Sequence, residues 1–251
     1  MAMKVRSYIA LGIISFVVFV VALFPANIVW KSIESSVSAA IPGKVQVVGG
    51  TLWNGFVVLD LRAGPVTGLH VAQWDLHPLN FLLGEVAVDL MAESESLIVS
   101  GGAYIGLFGK GVDDLNGNVS ATMIEPLLKE FGASAEGALH VENLSVKVSG
   151  DSVSDASGVI RWDGGKVQYR SGRSSQSIDF PGVQGTLTEN EGALTLAVIE
   201  TKGNQSLGEA MLRADGIGGV KVLQRVMSLA GLSSAPGDDD KVLVNLQRPL
   251  F

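Results

Sequence analysis

The sequence predicts a mainly β protein: a single N-terminal transmembrane helix, then an elongated, open, antiparallel-rich twisted β-sheet body with a few short helices. Three observations carry this expectation. From Lys44 onward apolar residues recur with a period of two, as in KVQVVGG and ALHVENLSVKVSG, the repeat of strands that bury one face. Turn signals divide these runs at short intervals, among them Gly49-Gly50, Asn54-Gly55, Asn116-Gly117, Asp163-Gly164-Gly165 and Gly203-Asn204, as hairpin connections require. Composition agrees, since 31 of the 251 residues are glycine and only 17% are charged, a balance that leans away from a helical bundle.

The helix comes first. Tyr8 to Phe24 reads YIALGIISFVVFVVALF, 17 positions without a charge. At about 1.5 Å per residue they span about 25 Å, the short end of a membrane crossing, and Ala26, Ile28 and Val29 extend the span to 8–29. Tyr8, Phe16, Phe19 and Phe24 are expected to anchor it, with Trp30 at the aqueous interface. Lys4 and Arg6 in the tail 1–7 favour an N-terminus that stays in the cytoplasm and a body carried across. A cleaved signal peptide is the competing reading, but Leu23, Phe24 and Pro25 stand where a cleavage site wants small residues. Residues 30–43 are expected to form a juxtamembrane helix or linker, with Ile28, Val29, Ile33 and Val37 at helical spacing and a stop at Pro42-Gly43.

The body, 44–251, carries three helical interruptions. HPLNFLLG starts at Pro78 and stops at Gly84. ATMIEPLLKEFG gathers Leu127, Leu128 and Phe131 on one side. GGVKVLQRVMSLAGL places Val222, Leu223, Val226, Met227 and Ala230 on one stripe, with Gly231 as its stop. The order strand, Pro-containing helix, glycine, strand occurs twice, which suggests a loose duplication of 44–112 and 113–170. SSAPGDDDK reads as a loop, and KVLVNLQRPLF returns to strand character.

Several function classes lose support. A net charge of -7 with no basic stripe argues against a nucleic-acid partner. His70, His77 and His140 lack metal-type spacing, and there is no cysteine, so a zinc site has little to work with. The absence of cysteine is also compatible with an oxidising compartment. Asp238, Asp239 and Asp240 lack the alternation of a calcium loop and read as solvated. Asp113-Asp114 and Glu93 with Glu95 lie in polar, turn-like surroundings with no evident burial to tune them for acid–base work. No nucleophile elbow or phosphate-cradling glycine loop occurs. Trp53, Trp74 and Trp162 beside glycine turns read as packing at the ends of a sheet rather than a ligand platform. No catalytic, cofactor-binding or metal-ligating residue is therefore assigned, and no cofactor is expected.

One ordered set of residues carries a resemblance. After the apolar segment come Gly50-x-x-Trp53-x-Gly55 and Trp74-x-Leu76-x-Pro78-x-x-x-Leu82-Leu83-Gly84, followed by Gly137-Ala138-Leu139, Gly158-x-x-x-Trp162, Asp215-Gly216 and Leu229-x-Gly231. Taken in this order, nearly the whole chain resembles the type II secretion system protein N family, also called general secretion pathway protein N, itself distantly similar to AsmA-like proteins. The resemblance implies a non-enzymatic, single-pass protein of the bacterial inner membrane with its bulk in the periplasm. Its implied role is in export of folded proteins, by binding or scaffolding the inner-membrane platform or the outer-membrane secretin. The alternative it implies is a periplasmic lipid or glycolipid binding or transfer protein of AsmA-like type, with an apolar concave face.

Overall fold

The computed structural model describes residues 2–32, 43–62, 67–121, 123, 125, 128, 132–171, 174–231 and 238–249. Strands β1 (Gly43–Gly50), β2 (Asn54–Leu61), β3 (Gly68–Leu76), β4 (Glu85–Ser94), β5 (Leu97–Gly106) and β6 (Gly109–Ser120) follow one another as a meander. The chain then forms the short β7 (Ala133–Ala135) before β8 (Ala138–Ser149) returns beside β6 and turns back as β9 (Ser152–Trp162). A second excursion, β10 (Gly165–Ser171) and β11 (Ser174–Phe180), joins β7 in a small sheet of order β11-β10-β7. The main sheet resumes with β12 (Val183–Asn190) against β9 and ends with β13 (Ala193–Glu200), β14 (Ser206–Arg213), β15 (Ile217–Leu223) and β16 (Val242–Pro249).

The result is a 13-stranded antiparallel sheet with β1 at one end and β16 at the other, so it is open. Tight turns enforce the meander. Between β12 and β13, Glu191 and Gly192 both have positive φ, 52° and 78°, the conformation whose twist matches two antiparallel strands.

Register separates two faces, because residues directly paired across an antiparallel ladder point the same way. One row runs Leu76, Val88, Ala103, Val112, Val146, Ala156 across six strands from β3 to β9. A second runs Leu187, Leu196, Ala210, Val220, Leu246 from β12 to β16. The opposite face holds rows such as Asn118, His140, Arg161, Gln184 and Tyr104, Gly111, Lys147, Asp155. The rows meet at a small core of Val153, Ala156 and Leu187, against which Leu144, Val146, Leu194 and Leu196 pack. Among the described residues no large side chain is completely enclosed.

Helices are few. α1 covers Ala2–Ala22, where a helix over 8–29 was expected. It stops because Pro25 disfavours helix at the residue before it and supplies no N–H of its own. The backbone there pairs with the sheet instead: Pro25 bridges Thr51, and Leu52 N donates to Phe24 O at 2.8 Å. A second helical segment occupies 26–32, and the rest of the expected juxtamembrane helix, 33–42, lies outside the described residues. Among the described residues no helix is long and apolar enough to cross a membrane. The described side chains of α1 run from Ser7 to Ala22, 16 residues. That is about 24 Å at 1.5 Å per residue, against roughly 30 Å of hydrocarbon.

The segment HPLNFLLG forms a 3₁₀ helix, Pro78–Leu83, ended by Gly84 with φ 72°. In ATMIEPLLKEFG positions 121, 123, 125 and 128 are helical, while Leu127 and Phe131 lie outside the described residues. The expected C-terminal helical stripe is corrected: Val222 and Leu223 belong to β15, and only Arg225–Leu229 is helical. VKVL alternates as well as it repeats helically, and ladders with β14 and β16 on both sides decide for strand.

Candidate functional site: an uncovered apolar sheet face

An antiparallel sheet ordinarily covers one face and wets the other. Here the apolar rows lie open as two grooves that share Val146 on β8. The first, of roughly 690 Å³, is floored by β8, β9 and β12 to β16, with Leu187, Leu196, Leu212 and Leu246 among its walls. The second, of roughly 520 Å³, spans β4, β5, β6 and β8 through Val86, Val88, Ile105 and Val112. Volumes of this size accommodate small-molecule ligands. Ile105 and Leu246 are each more than 60% exposed, whereas Leu187 is buried, so among the described residues the face is left uncovered at its margins and deepest near the small core. Lys110 borders the second groove and Arg248 the first.

The three tryptophans of the Gly/Trp segments each donate their indole N–H to a backbone carbonyl. Trp53 Nε1 donates to Val21 O at 2.8 Å, Trp74 Nε1 to Leu52 O at 3.0 Å, and Trp162 Nε1 to Glu136 O at 2.9 Å. The Trp74 and Trp162 rings therefore tie connections to the sheet, and the Trp53 ring ties the β1–β2 turn to the end of α1. Trp74 lies over Gly55, where any Cβ would collide with the indole. Gly50, with φ 85°, closes the turn that holds Trp53, whose ring lies 6.1 Å from Phe81. Trp162 stacks on Phe180 at 6.1 Å, and Gly158 lies four residues before it in β9. Leu76 N donates to Trp53 O at 2.6 Å, and Pro78 opens the 3₁₀ helix in which Leu82 and Leu83 face solvent. In α1, Tyr8, Phe16 and Phe19 are exposed; Phe24 follows it, and Trp30 lies in the 26–32 segment with its buried Nε1 unpartnered.

Among the described residues the histidines and carboxylates pair locally and lie apart from one another. His70 is buried, His77 faces Asp89 at 3.0 Å, and His140 faces Asp163 at 2.8 Å. Among the described residues no three metal-ligating side chains converge. Asp239 and Asp240 hold the C-terminal helix, accepting from Ser228 Oγ and Arg225 Nη2, each at 2.7 Å. Asp113 sits within β6, and Asp114 adopts a positive φ at a bulge beside Ser145.

Tyr104 is the one described group with a resolved shift: burial, then the carboxylates of Asp113, Glu85 and Asp155, raise its phenol above the usual 10.0. A raised acid holds its proton more tightly in the fold, so its contribution to stability is complete below pH 10.0 and lost as pH rises through the folded value. Ultraviolet titration is expected to show a phenol ionising above that of unfolded chain, a step that Tyr104→Phe removes.

A family model for type II secretion system (T2SS), protein N, matches residues 44–242, from β1 to the start of β16. The chain belongs to the type II secretion system protein N family. Membership ties it to type II protein secretion, and the matched span contains nearly all of the apolar face. No curated protein and no solved structure matches the chain. The open apolar face was missed residue by residue in the sequence, although its signal is present: apolar positions at period two in successive strands.

Proposed function

We propose that this member of the T2SS protein N family is a non-enzymatic component anchored once in the bacterial inner membrane, its N-terminus cytoplasmic and its β body in the periplasm. There it binds or scaffolds other secretion components, either the inner-membrane platform or the outer-membrane secretin. The family match over 44–242 carries this reading. Anchoring is supported by α1, whose consecutive residues Val17, Val18, Phe19 and Val20 step around the helix and are all exposed, a pattern that calls for lipid rather than water. Partner binding is supported by the end strands. Among the described residues nothing pairs with the outer edges of β1 and β16, and an incoming strand would satisfy their N–H and C=O groups.

A second reading, lipid or glycolipid binding or transfer, is favoured by the uncovered apolar face and its two grooves. Lys110 and Arg248, at the margins, suit an anionic headgroup. Deleting the gene in its native host separates the two. The secretion role predicts exported enzyme trapped in the periplasm with an intact outer-membrane barrier. Normal secretion with entry of a large antibiotic would reject it in favour of lipid handling.

A further inference from the structure

The end of the sheet at which α1 stops carries a rim of apolar side chains that belongs to neither groove wall nor core. Three connections meet there: 51–53, 77–84 and 107–108. They are joined in sequence by contact. Trp53 Nε1 holds Val21 O at the end of α1, the Trp53 ring lies 6.1 Å from Phe81, Leu107 N donates to Gly84 O at 3.3 Å, and Ser149 Oγ donates to Phe108 O at 3.1 Å. From this rim Leu79, Leu82, Leu83, Leu107 and Phe108 project into solvent with exposures of 75% to 88%. Scattered exposed leucines are ordinary; five large apolar side chains on adjoining turns are not.

The same end of the sheet changes character away from α1. Its next turns are Gly150-Asp151, Glu191-Gly192 and Asp215-Gly216, each with a carboxylate at or beside the bend. They follow the rim in order, since Val153 N donates to Gly192 O at 3.0 Å and Ala193 pairs with Arg213. Apolar tips are thus confined to the part of the rim that adjoins the apolar helix, and acidic tips occupy the part that does not.

We propose that the rim formed by Leu79, Leu82, Leu83, Leu107 and Phe108 is seated in the boundary between headgroups and acyl chains of the bilayer that holds α1. This rests on the anchoring reading above. The occupant follows from continuity: α1 brings its own exposed apolar side chains to Trp53, so a bilayer around the helix reaches the adjoining tips first. Lys110, two residues beyond Phe108, suits anionic headgroups at that depth. Contact at both helix and rim fixes the sheet's orientation instead of leaving it on a tether, with the acidic turns lifted into water.

The chain has no cysteine, so single labels can be placed cleanly. Full-length Leu82→Cys, Phe108→Cys, Val18→Cys and Asp151→Cys variants, each carrying an NBD fluorophore, are reconstituted in phosphatidylethanolamine–phosphatidylglycerol vesicles with and without doxyl-lipid quenchers. Blue-shifted emission quenched at 82 and 108, deep quenching at 18 and none at 151 are expected. Quenching at 18 with 82 and 108 behaving like 151 overturns the rim contact and leaves the anchor standing. An unquenched label at 18 overturns the anchor and the rim proposal with it.

Discussion

Gly158→Val is expected to cost at least about 3 kcal/mol, enough to leave much of the protein unfolded under mild denaturant. Gly158 has φ 136°, a conformation side chains rarely adopt, and a Cβ there would lie 2.6 Å from the Leu144 backbone in the neighbouring strand β8. Backbone strain of this kind costs about 1–3 kcal/mol, and forcing atoms into an occupied space a further 1–3. Domains have only about 5–15 kcal/mol in total. The position also borders the small core, since Gly158 pairs with Leu187 while β8 and β9 shift register between Glu142 and Ser145. Gly102→Ala is the control: its φ is not in the left-handed range and the nearest atom to its Cβ is 3.5 Å away, ordinary contact. Urea midpoints should fall sharply for the first variant and stay within about 0.5 kcal/mol of the parent for the second.

Gly158 also marks how far the fold was legible in the sequence. Its spacing to Trp162 is visible, but the need for glycine comes from the bulge between β8 and β9, a long-range pairing no local pattern records. Strand existence was legible because alternation and turn residues are local. The 3₁₀ helix was legible because Pro78 and Gly84 bracket it. The departure of β7, β10 and β11 into a second sheet was not, since KVQYRS alternates like any strand of the first. The end of α1 was misplaced because apolar residues continue past Pro25, whereas the backbone of 24–25 pairs with the turn at 51–52. Nor could the apolar grooves be assembled from sequence, because strands 50 or more residues apart in the chain contribute to one floor and only register aligns them.

The grooves have a direct test in paired charge reversals on one strand. Leu196 and Ala197 are neighbours on β13, so pleating sends their side chains to opposite faces. Leu196 stands in the apolar row between Leu187 and Ala210, whereas Ala197 is exposed and pairs with Glu209. Leu196→Arg puts a cation on the floor of the larger groove. Removing a leucine's apolar contact forfeits about 1.5–3 kcal/mol with a bound chain, and an acyl chain offers the guanidinium no partner. If the face holds lipid, gently extracted Leu196→Arg should therefore retain about tenfold less than the parent by mass spectrometry, since every 1.4 kcal/mol is about tenfold in affinity. Ala197→Arg adds the same charge on the other face, next to Glu209, and should retain lipid at the parental level. Parent protein without lipid would reject lipid occupancy outright. Equal loss in both variants would attribute the effect to charge or stability rather than to the groove. Secretion measured in the same pair then divides the two functional readings: a defect confined to Leu196→Arg in a lipid-free protein means the apolar face serves a protein partner, because the altered surface is the groove while both sheet edges are untouched.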